Sequence, residues 1–458
     1  MSVKGKTVVI VGAGVAGLSA GLRLAEAGAR VVVVEKEATV GGLARSFYYG
    51  EYVFDVGPHR FHTDDPEVLA FIKDVLDNDC VRMPRNSGVW LFGRYHDWPL
   101  SIASLFKLPP GIILRVARDL VARRGAPGSS FEAYILERYG RTLYDCFFRA
   151  YTRKFLKHDP GAIHADWARA GIDRAVIDRK LRMNTLFEVV SRSLIPRPVK
   201  TEFVYPGTGG IDTFSRALAR RIGERGGELR CGAPVQRLDI AGGRVRSVTL
   251  AGGAAVPADI VLWTAPLDLL CALAGLGRPD LSYLSAVLYN VMVSGTPGLR
   301  YQWCYYGQED ILFNRWSIPR YFRESTCPPG GTGVGVEVTC MKGDGTWNAP
   351  ERLAGRVASE MRAVGLLNER NKIEDIRIER IENVYPVYGL DYVRTLEETE
   401  GRISHLRNLV LLGRTGTFWY NNMDHSIRAG LECARDIITL GGEGLRHVYA
   451  RDDYAARA

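Results

Sequence analysis

The fold is decided by residues 8–17, which read Val8-Val9-Ile10-Val11-Gly12-Ala13-Gly14-Val15-Ala16-Gly17. An apolar strand runs into a Gly-x-Gly-x-x-Gly turn, and an Ala/Leu-rich helix follows the turn. In this pattern Gly12 permits the tight turn, Gly14 lets the backbone approach a pyrophosphate, and Gly17 lets the helix pack on the strand. The N-terminus of the helix then faces the phosphate charge. The segment therefore predicts a Rossmann-type unit that binds a dinucleotide.

Two segments downstream favour FAD as that dinucleotide. A second apolar strand at residues 31–34 ends at Glu35, an acid at the right distance to bind the ribose hydroxyls of an adenine dinucleotide. The pair Gly41 and Gly42, followed by Arg45, is a further phosphate-loop signal. This second glycine pair is typical of FAD proteins rather than of simple NAD dehydrogenases.

Length and composition define the class of protein. A chain of 458 residues exceeds one hydrophobic core, so two or three lobes are expected. The eight cysteines are dispersed, without a Cys-x-x-Cys pair or a histidine cluster at metal spacing, so neither a disulfide framework nor a metal site is indicated. A core strand begins almost at once and no apolar run is long enough to span a bilayer. We therefore expect a cytoplasmic protein with reduced thiols and no integral membrane segment.

The net charge of +9 has two interpretations, a solvated basic surface or basic residues gathered to receive an anionic substrate. Nucleic acid binding is disfavoured because no basic run interleaved with aromatic residues is present. The apolar and basic stretch at 105–124 is read as an ordinary surface helix, with contact to a membrane surface as the minor alternative.

The distribution of strand and helix patterns predicts an α/β fold whose Rossmann-type FAD-binding domain is assembled from discontinuous segments. Helical periodicity between the first two segments predicts a helical insertion, and strand patterns such as residues 333–339 predict an antiparallel β-sheet insertion. The predicted boundaries are 1–78, 201–285 and 386–445 for the FAD-binding domain, 79–200 for a mainly helical substrate or nucleotide lobe, 286–385 for the antiparallel sheet lobe, and 446–458 for the C-terminal tail.

Several further segments resemble one family, the flavin-dependent UDP-galactopyranose mutases. The similar segments occur in the same order as in that family and cover most of the chain. They are Gly57-Pro58-His59-Arg60-Phe61-His62-Thr63, similar to the histidine loop beside the isoalloxazine; residues 144–154, similar to the helix that holds the nucleotide; Asn314-Arg315, similar to the second arginine segment; and Tyr385-Pro386-Val387 and residues 413–424, similar to the two tyrosine segments that close on the diphosphate.

The resemblance implies a role for each matching residue. Two arginines and two tyrosine hydroxyls would supply charge-assisted hydrogen bonds to a diphosphate, and two aromatic rings would face the base. The implied catalytic residues are Arg174, Arg315, His59 and His62; the substrate-binding residues are Asn86, Phe147, Tyr151, Tyr385 and Tyr420; and the cofactor-binding residues are Gly12, Gly14, Gly17, Glu35, Gly41, Gly42, Arg45, Val235, Gly413, Arg414, Asn422 and Met423.

Each residue also has a purely structural interpretation: Phe147 as a core side chain, Arg174 as part of a solvated helix face, and the two histidines as loop residues satisfied by backbone carbonyls. The sequence also departs from the family at two positions. Leu156 replaces a tryptophan that packs on the nucleotide side, and Asn422 replaces an acid beside the flavin. These departures leave open which nucleotide and which sugar are bound.

The activity implied by the resemblance is the interconversion of the pyranose and furanose forms of a nucleotide-diphosphate sugar. Reduced FAD would attack the anomeric carbon through N5 with no net redox change, and NADH or NADPH is the expected reductant. The alternative is an FAD-dependent oxidase or dehydrogenase of the amine oxidase or protoporphyrinogen oxidase type, which shares the glycine motifs. A non-enzymatic flavin carrier is the third interpretation. The expected partner is the nucleotide-sugar substrate, and a homodimer is left open.

Overall fold

The protein has the α/β architecture that the sequence predicts, with one parallel sheet and one larger mixed sheet. The computed structural model describes residues 2–98, 109–121, 128–170, 202–442 and 444–449.

Six strands of the described chain form the parallel sheet, with the strand Thr7–Val11 near its centre. This strand pairs in parallel with Arg30–Val34 on one side and with Ile260–Trp263 on the other. Strands that lie far apart in sequence thus meet in one sheet, which is the discontinuous assembly that the sequence predicts. In sheet order the strands are Val448–Tyr449, Leu409–Leu412, Ile260–Trp263, Thr7–Val11, Arg30–Val34 and Glu228–Arg230.

Both faces of the parallel sheet are buried, which explains why its strands are almost continuously apolar. Successive side chains of a strand point to opposite faces, so Val8 and Ile10 join the core beneath the helices, and Val9 and Val11 join the core on the other face. The second face is covered by an antiparallel three-stranded sheet, Val235–Ala241, Arg244–Leu250 and Ala255–Pro257.

Three helices cover the first face of the parallel sheet. The helix Val15–Glu26 lies between Asp212–Glu224 and Met423–Leu440 and contacts both. At Gly430 the backbones approach so closely that a Cβ atom would lie 2.5 Å from the carbonyl oxygen of Ala16. This close packing places the N-terminus of the last helix beside the first glycine turn.

The mixed sheet is a seven-stranded layer that forms the second lobe. Its pairs are antiparallel, except that Trp303–Tyr306 runs parallel to Ser87–Leu91. The helix Ala354–Ala363 contributes Val357 and Met361 to a core on one face of this sheet. In sheet order the strands are Ile373–Pro386, Tyr283–Ser294, Gly331–Cys340, Arg315–Ser317, Trp303–Tyr306, Ser87–Leu91 and Arg94–Asp97.

Two of the predicted boundaries require correction. The predicted helical lobe begins with three strands, Cys80–Pro84, Ser87–Leu91 and Arg94–Asp97, because the last two form a hairpin that completes the mixed sheet. The predicted tail includes Val448–Tyr449, which pairs with Leu409–Leu412 at the edge of the parallel sheet. Each segment is too short to reveal its pairing from local pattern alone.

The remaining elements connect these layers. Ser46–Tyr49 and Tyr52–Asp55 form a hairpin, and Cys80–Pro84 pairs with Glu202–Pro206. No described helix is long and apolar enough to cross a membrane. The remaining strands are Ser46–Tyr49, Tyr52–Asp55 and Glu202–Pro206, and the remaining α-helices are Pro66–Val75, Pro110–Val121, Phe131–Leu143, Arg149–Leu156, Asp166–Ala168, Leu267–Leu273, Gly345–Asn348, Tyr392–Ile403 and Gly413–Gly416.

Candidate functional site

A cavity of about 440 Å³ opens at the carboxyl ends of the central parallel strands, the place where α/β sheets bind dinucleotides. Of the predicted cofactor-binding residues, all except Gly17 line this cavity. Their convergence from distant parts of the chain defines one candidate cofactor site. The predicted residues that line it are Gly12, Gly14, Glu35, Gly41, Gly42, Arg45, Val235, Gly413, Arg414, Asn422 and Met423.

The two glycine loops form one cradle. Gly12 has φ of +100° and Gly41 has φ of +114°, conformations that favour glycine. The Gly41 amide donates a 2.8 Å hydrogen bond to the carbonyl of Ala13, which ties the loops together. A Cβ atom on Gly14 would meet no protein atom within 4 Å, so open space lies in front of the N-terminus of Val15–Glu26. This space and helix terminus fit a pyrophosphate.

Gly17 and Glu35 support the cradle in different ways. A Cβ atom on Gly17 would lie 2.8 Å from both the Gly12 carbonyl oxygen and Ile10 Cγ2, so this glycine serves helix–strand packing. The Glu35 carboxylate is buried and accepts hydrogen bonds from the backbone amides of Ala13 at 2.7 Å and Glu37 at 2.9 Å. Glu35 is therefore held rigidly at the cavity wall.

His59 is the predicted histidine that reaches the cofactor cavity, and His62 does not line it. Burial, followed by the positive charges of Arg414, Arg315 and Arg60, lowers the pKa of His59 to about 3. Its Nδ1 is buried without a hydrogen-bond partner. Burial and Arg60 likewise lower the pKa of His62 to about 4. Both imidazoles are consequently neutral at neutral pH and act there as hydrogen-bonding groups rather than as cations.

The low pKa of His59 predicts a pH-dependent stability. In the unfolded chain His59 is protonated below about pH 6.5, whereas in the folded protein it stays neutral down to about pH 3. The free energy of unfolding therefore decreases as the pH falls from 6.5 towards 3. Between pH 7 and pH 5 the free energy of unfolding should fall by about 2 kcal/mol less in His59→Gln than in the parent protein. Urea unfolding of the flavin-loaded proteins at both pH values measures the difference.

The exposed His405 provides the control for this measurement. His405→Gln should follow the parent protein at both pH values. Parallel losses in His59→Gln and the parent protein would contradict the low pKa of His59.

Arg315 lies at the centre of a polar group next to this cavity. Its guanidinium pairs with the buried carboxylate of Glu337 and donates to the Tyr385 hydroxyl at 3.3 Å. The Tyr385 hydroxyl itself donates to Glu337 at 2.9 Å. The Arg414 guanidinium lies over the rings of Tyr420, at 5.0 Å, and Tyr385, at 6.0 Å. The structure thus brings together Arg315, Tyr385 and Tyr420, with Glu337 and Arg414 beside them.

Burial raises the pKa values of Tyr385 and Tyr420, so both hydroxyls are protonated donors. Arg315 Nε is buried without a hydrogen-bond partner. Glu337 was not predicted, because an acid within the apolar strand Gly331–Cys340 gives no local signal. Its partner becomes visible only through the register that places it opposite Arg315.

An aromatic wall extends from this group. Phe147 stacks on Tyr151 at 5.4 Å, and Tyr151 stacks on Phe155 at 5.6 Å. Both predicted base-facing rings therefore lie in one ladder, next to Tyr305, which is 6.4 Å from Tyr151. Trp167 stacks on Tyr420 at 4.9 Å. Trp167 thus provides an indole in this region. Leu156, which stands where the resembling family has a tryptophan, is fully buried.

Two further arginines, Arg60 and Arg85, belong to the same region and were not predicted as site residues. Arg60 lies over Phe203, at 4.8 Å, and Trp303, at 4.4 Å, and Arg85 lies over Trp303 at 5.6 Å. Burial lowers the pKa of Arg60 to about 10, with contributions from the charges of Arg85 and Arg315. The only sequence signal was the position of Arg60 within the histidine loop.

Two predicted residues lie apart from this group or beyond the described chain. Asn86 is exposed, and its side-chain amide donates to the Arg300 carbonyl at 2.7 Å. Arg174 lies outside the described residues. Among the described residues, no group of three or more His, Cys, Asp or Glu side chains is placed to hold a metal ion.

Two known proteins with similar sequences are named for different activities. It is 28% identical over 288 residues to the zeta-carotene-forming phytoene desaturase of Myxococcus xanthus, a match covering 58% of this chain and 54% of that protein. It is 27% identical over 170 residues to a Klebsiella pneumoniae protein named probable UDP-galactopyranose mutase, covering 35% of this chain and 43% of that one. The chain spans about half the length of the curated relatives it matches.

Among solved structures, reduced UDP-galactopyranose mutase matches with a TM-score of 0.81 at 23% identity, over 95% of this chain and 96% of that chain. This likeness confirms the fold. The sequence model described as flavin containing amine oxidoreductase matches residues 15–287, more than half of the chain. The chain therefore belongs to the family of flavin-containing amine oxidoreductases, whose members bind FAD.

Proposed function

We propose that the protein interconverts the pyranose and furanose forms of a nucleotide-diphosphate sugar. The observation that carries this proposal is the concentration of positive charge beside the cofactor cavity. Arg60, Arg85, Arg315 and Arg414 are electrostatically coupled to one another or to His59, and Glu337 is the acid that pairs with Arg315. Such a region suits a ligand with several negative charges.

Each part of the site has a task in this reaction. Arg315, Tyr385 and Tyr420 would hold the diphosphate and stabilise its charge as it leaves the anomeric carbon. The ladder of Phe147 and Tyr151 would bind the base by stacking. Glu337 positions Arg315 through their ion pair. The reduced flavin, when bound, supplies the nucleophile, which agrees with the absence of a nucleophile–base pair from the sequence motifs.

The alternative is an oxidation reaction like those named for other relatives. The Myxococcus relative is named a phytoene desaturase, and its matched region is longer than that of the Klebsiella protein. A hydrocarbon substrate would leave the half-buried guanidinium of Arg60, which forms no ion pair with a carboxylate of the described residues, without an anion, and the positive charge of the site would repel a protonated amine. The charge of the site therefore favours the mutase.

The assay for this proposal uses dithionite-reduced protein and a set of nucleotide sugars. We expect one of them to yield a furanose isomer, separated by anion-exchange chromatography and identified by NMR. A trace of reductant should sustain many turnovers, because the reaction has no net redox change.

The oxidised protein serves as the control and should give no isomer. Stoichiometric peroxide or reduced acceptor, with no isomer from any nucleotide sugar, would establish the oxidase alternative and refute the mutase.

A further inference from the structure

Arg60 is a half-buried cation that forms no ion pair with an acid in the described part of the chain. Its Nη1 donates to the Pro58 carbonyl at 2.8 Å, and its Nε is buried without a hydrogen-bond partner. No carboxylate of the described residues forms an ion pair with it. The stacking rings of Phe203 and Trp303 fix the plane of the guanidinium. Burying an uncompensated charge is costly, so this arrangement indicates an anionic ligand group.

Arg85 increases the positive charge at the same place. Its guanidinium lies over Trp303, and its Nε donates to the Ser87 hydroxyl at 3.0 Å. We call Arg60, Arg85 and Trp303 the Trp303 cluster. Phosphate and carboxylate are the ligands that paired guanidinium groups bind best.

The Trp303 cluster is separate from the group proposed to bind the diphosphate. Trp303 and Tyr305 are two residues apart on one strand and therefore share a face, about 7 Å from each other. Arg315 pairs in register with Tyr305 and lies over its ring at 5.9 Å. The two cationic groups are thus offset along the strand by roughly the span of one sugar ring.

We propose that the sugar of the substrate is a hexuronate, whose carboxylate is bound by Arg60 with the support of Arg85. The proposal rests on the proposed function, since it names the sugar class of that same site. The Pro58 carbonyl already accepts a hydrogen bond from Nη1 of Arg60, whereas Nε has no partner. A carboxylate would therefore bind the side of the guanidinium that includes Nε, where two N–H donors lie in one plane.

The chemistry of the sugar is compatible with this assignment. Pyranose and furanose rings close through the hydroxyls of C5 and C4, and a hexuronate retains both. Its carboxylate at C6 takes no part in ring opening or closure. Arg60 is therefore a specificity-determining residue, which would fix the end of the sugar remote from the diphosphate.

The test compares matched pairs of nucleotide sugars that differ only at C6. UDP-galactose and UDP-galacturonate form one pair, and GDP-mannose and GDP-mannuronate form another. Affinity and turnover are measured on the reduced, flavin-loaded protein. We expect the uronate of at least one pair to bind roughly 10- to 100-fold more tightly than its neutral partner.

Arg60→Met tests the residue itself, since methionine can pack against the same two aromatic rings without the charge. The variant should lose the preference for the uronate, because its kcat/KM for the uronate should fall roughly 10- to 100-fold further than its kcat/KM for the neutral sugar. Arg60→Lys should keep part of the preference, because it retains the charge but not the planar pair of donors. Arg94→Met, which removes an exposed charge on the strand Arg94–Asp97, should behave as the parent protein.

The possible results separate the two proposals. Equal binding and turnover of both members of each pair, or an unchanged preference in Arg60→Met, would overturn the hexuronate assignment and leave the mutase standing. Equal losses for neutral and acidic sugars in Arg60→Met would show a merely structural role and would also overturn it. Absence of binding by UDP, GDP and all four sugars would refute the mutase and the hexuronate assignment together.

Discussion

An Arg315→Met variant is expected to retain its flavin and to lose roughly 10²- to 10³-fold in kcat/KM for the nucleotide sugar. Arg315 is the cation bound by both Glu337 and the hydroxyl of Tyr385, and its Nε is buried without a hydrogen-bond partner. Its charge would act on the diphosphate most strongly when that group leaves, so kcat should fall along with affinity. Steady-state kinetics and the flavin absorbance of the purified variant measure the two effects.

A loss of folding is the competing explanation, because Arg315→Met leaves the buried Glu337 carboxylate without its cation. The double variant Arg315→Met/Glu337→Gln removes both charges and should recover thermal stability without recovering activity. Arg315→Lys, which keeps the charge but not the planar donors, should fall between the parent protein and Arg315→Met. Full activity in the double variant would exclude Arg315 from substrate binding.

A Gly14→Val variant is expected to fold and to bind FAD roughly 10- to 100-fold more weakly than the parent protein. Gly14 has φ of −76° and ψ of 170°, an extended conformation that valine adopts readily. A Cβ atom at Gly14 would meet no atom within 4 Å outside its neighbours in the chain, so the new side chain would extend into the space proposed for the pyrophosphate. Flavin content on purification and FAD titration of the apoprotein measure the affinity.

Two other glycines of helices provide matched controls. Gly17→Ala should lower the stability of the apoprotein itself by about 1–3 kcal/mol, because its Cβ would lie 2.8 Å from the Gly12 carbonyl oxygen. Gly223→Ala, on an exposed face of Asp212–Glu224 with open space around the Cβ, should leave the FAD affinity unchanged and should not lower the stability of the apoprotein. Normal FAD affinity in Gly14→Val would mean that the pyrophosphate does not lie in front of Gly14.

The cofactor site was the part most accessible to sequence reasoning. The glycine turn, Glu35 and the second glycine pair specify backbone conformation and charge within about 40 consecutive residues, so their meaning is local. The helical insertion was likewise predicted from periodicity, and the structure has the helices Pro110–Val121, Phe131–Leu143 and Arg149–Leu156 in that part of the chain. The hairpin of Ser87–Leu91 and Arg94–Asp97 was missed, since its strands are short and their partner Trp303–Tyr306 lies more than 200 residues away.

By itself, the sequence determined the α/β fold, the position of the dinucleotide loops and the arginine and tyrosine segments that resemble a nucleotide-sugar mutase. Only the tertiary structure placed Glu337 against Arg315, stacked Arg60 and Arg85 on Trp303, and surrounded His59 with positive charge. The reason is physical: a glycine turn is encoded by the conformational freedom of its own residues, whereas an ion pair or a shifted pKa depends on distances between side chains from different strands. Those distances exist only once the sheet has paired in its register.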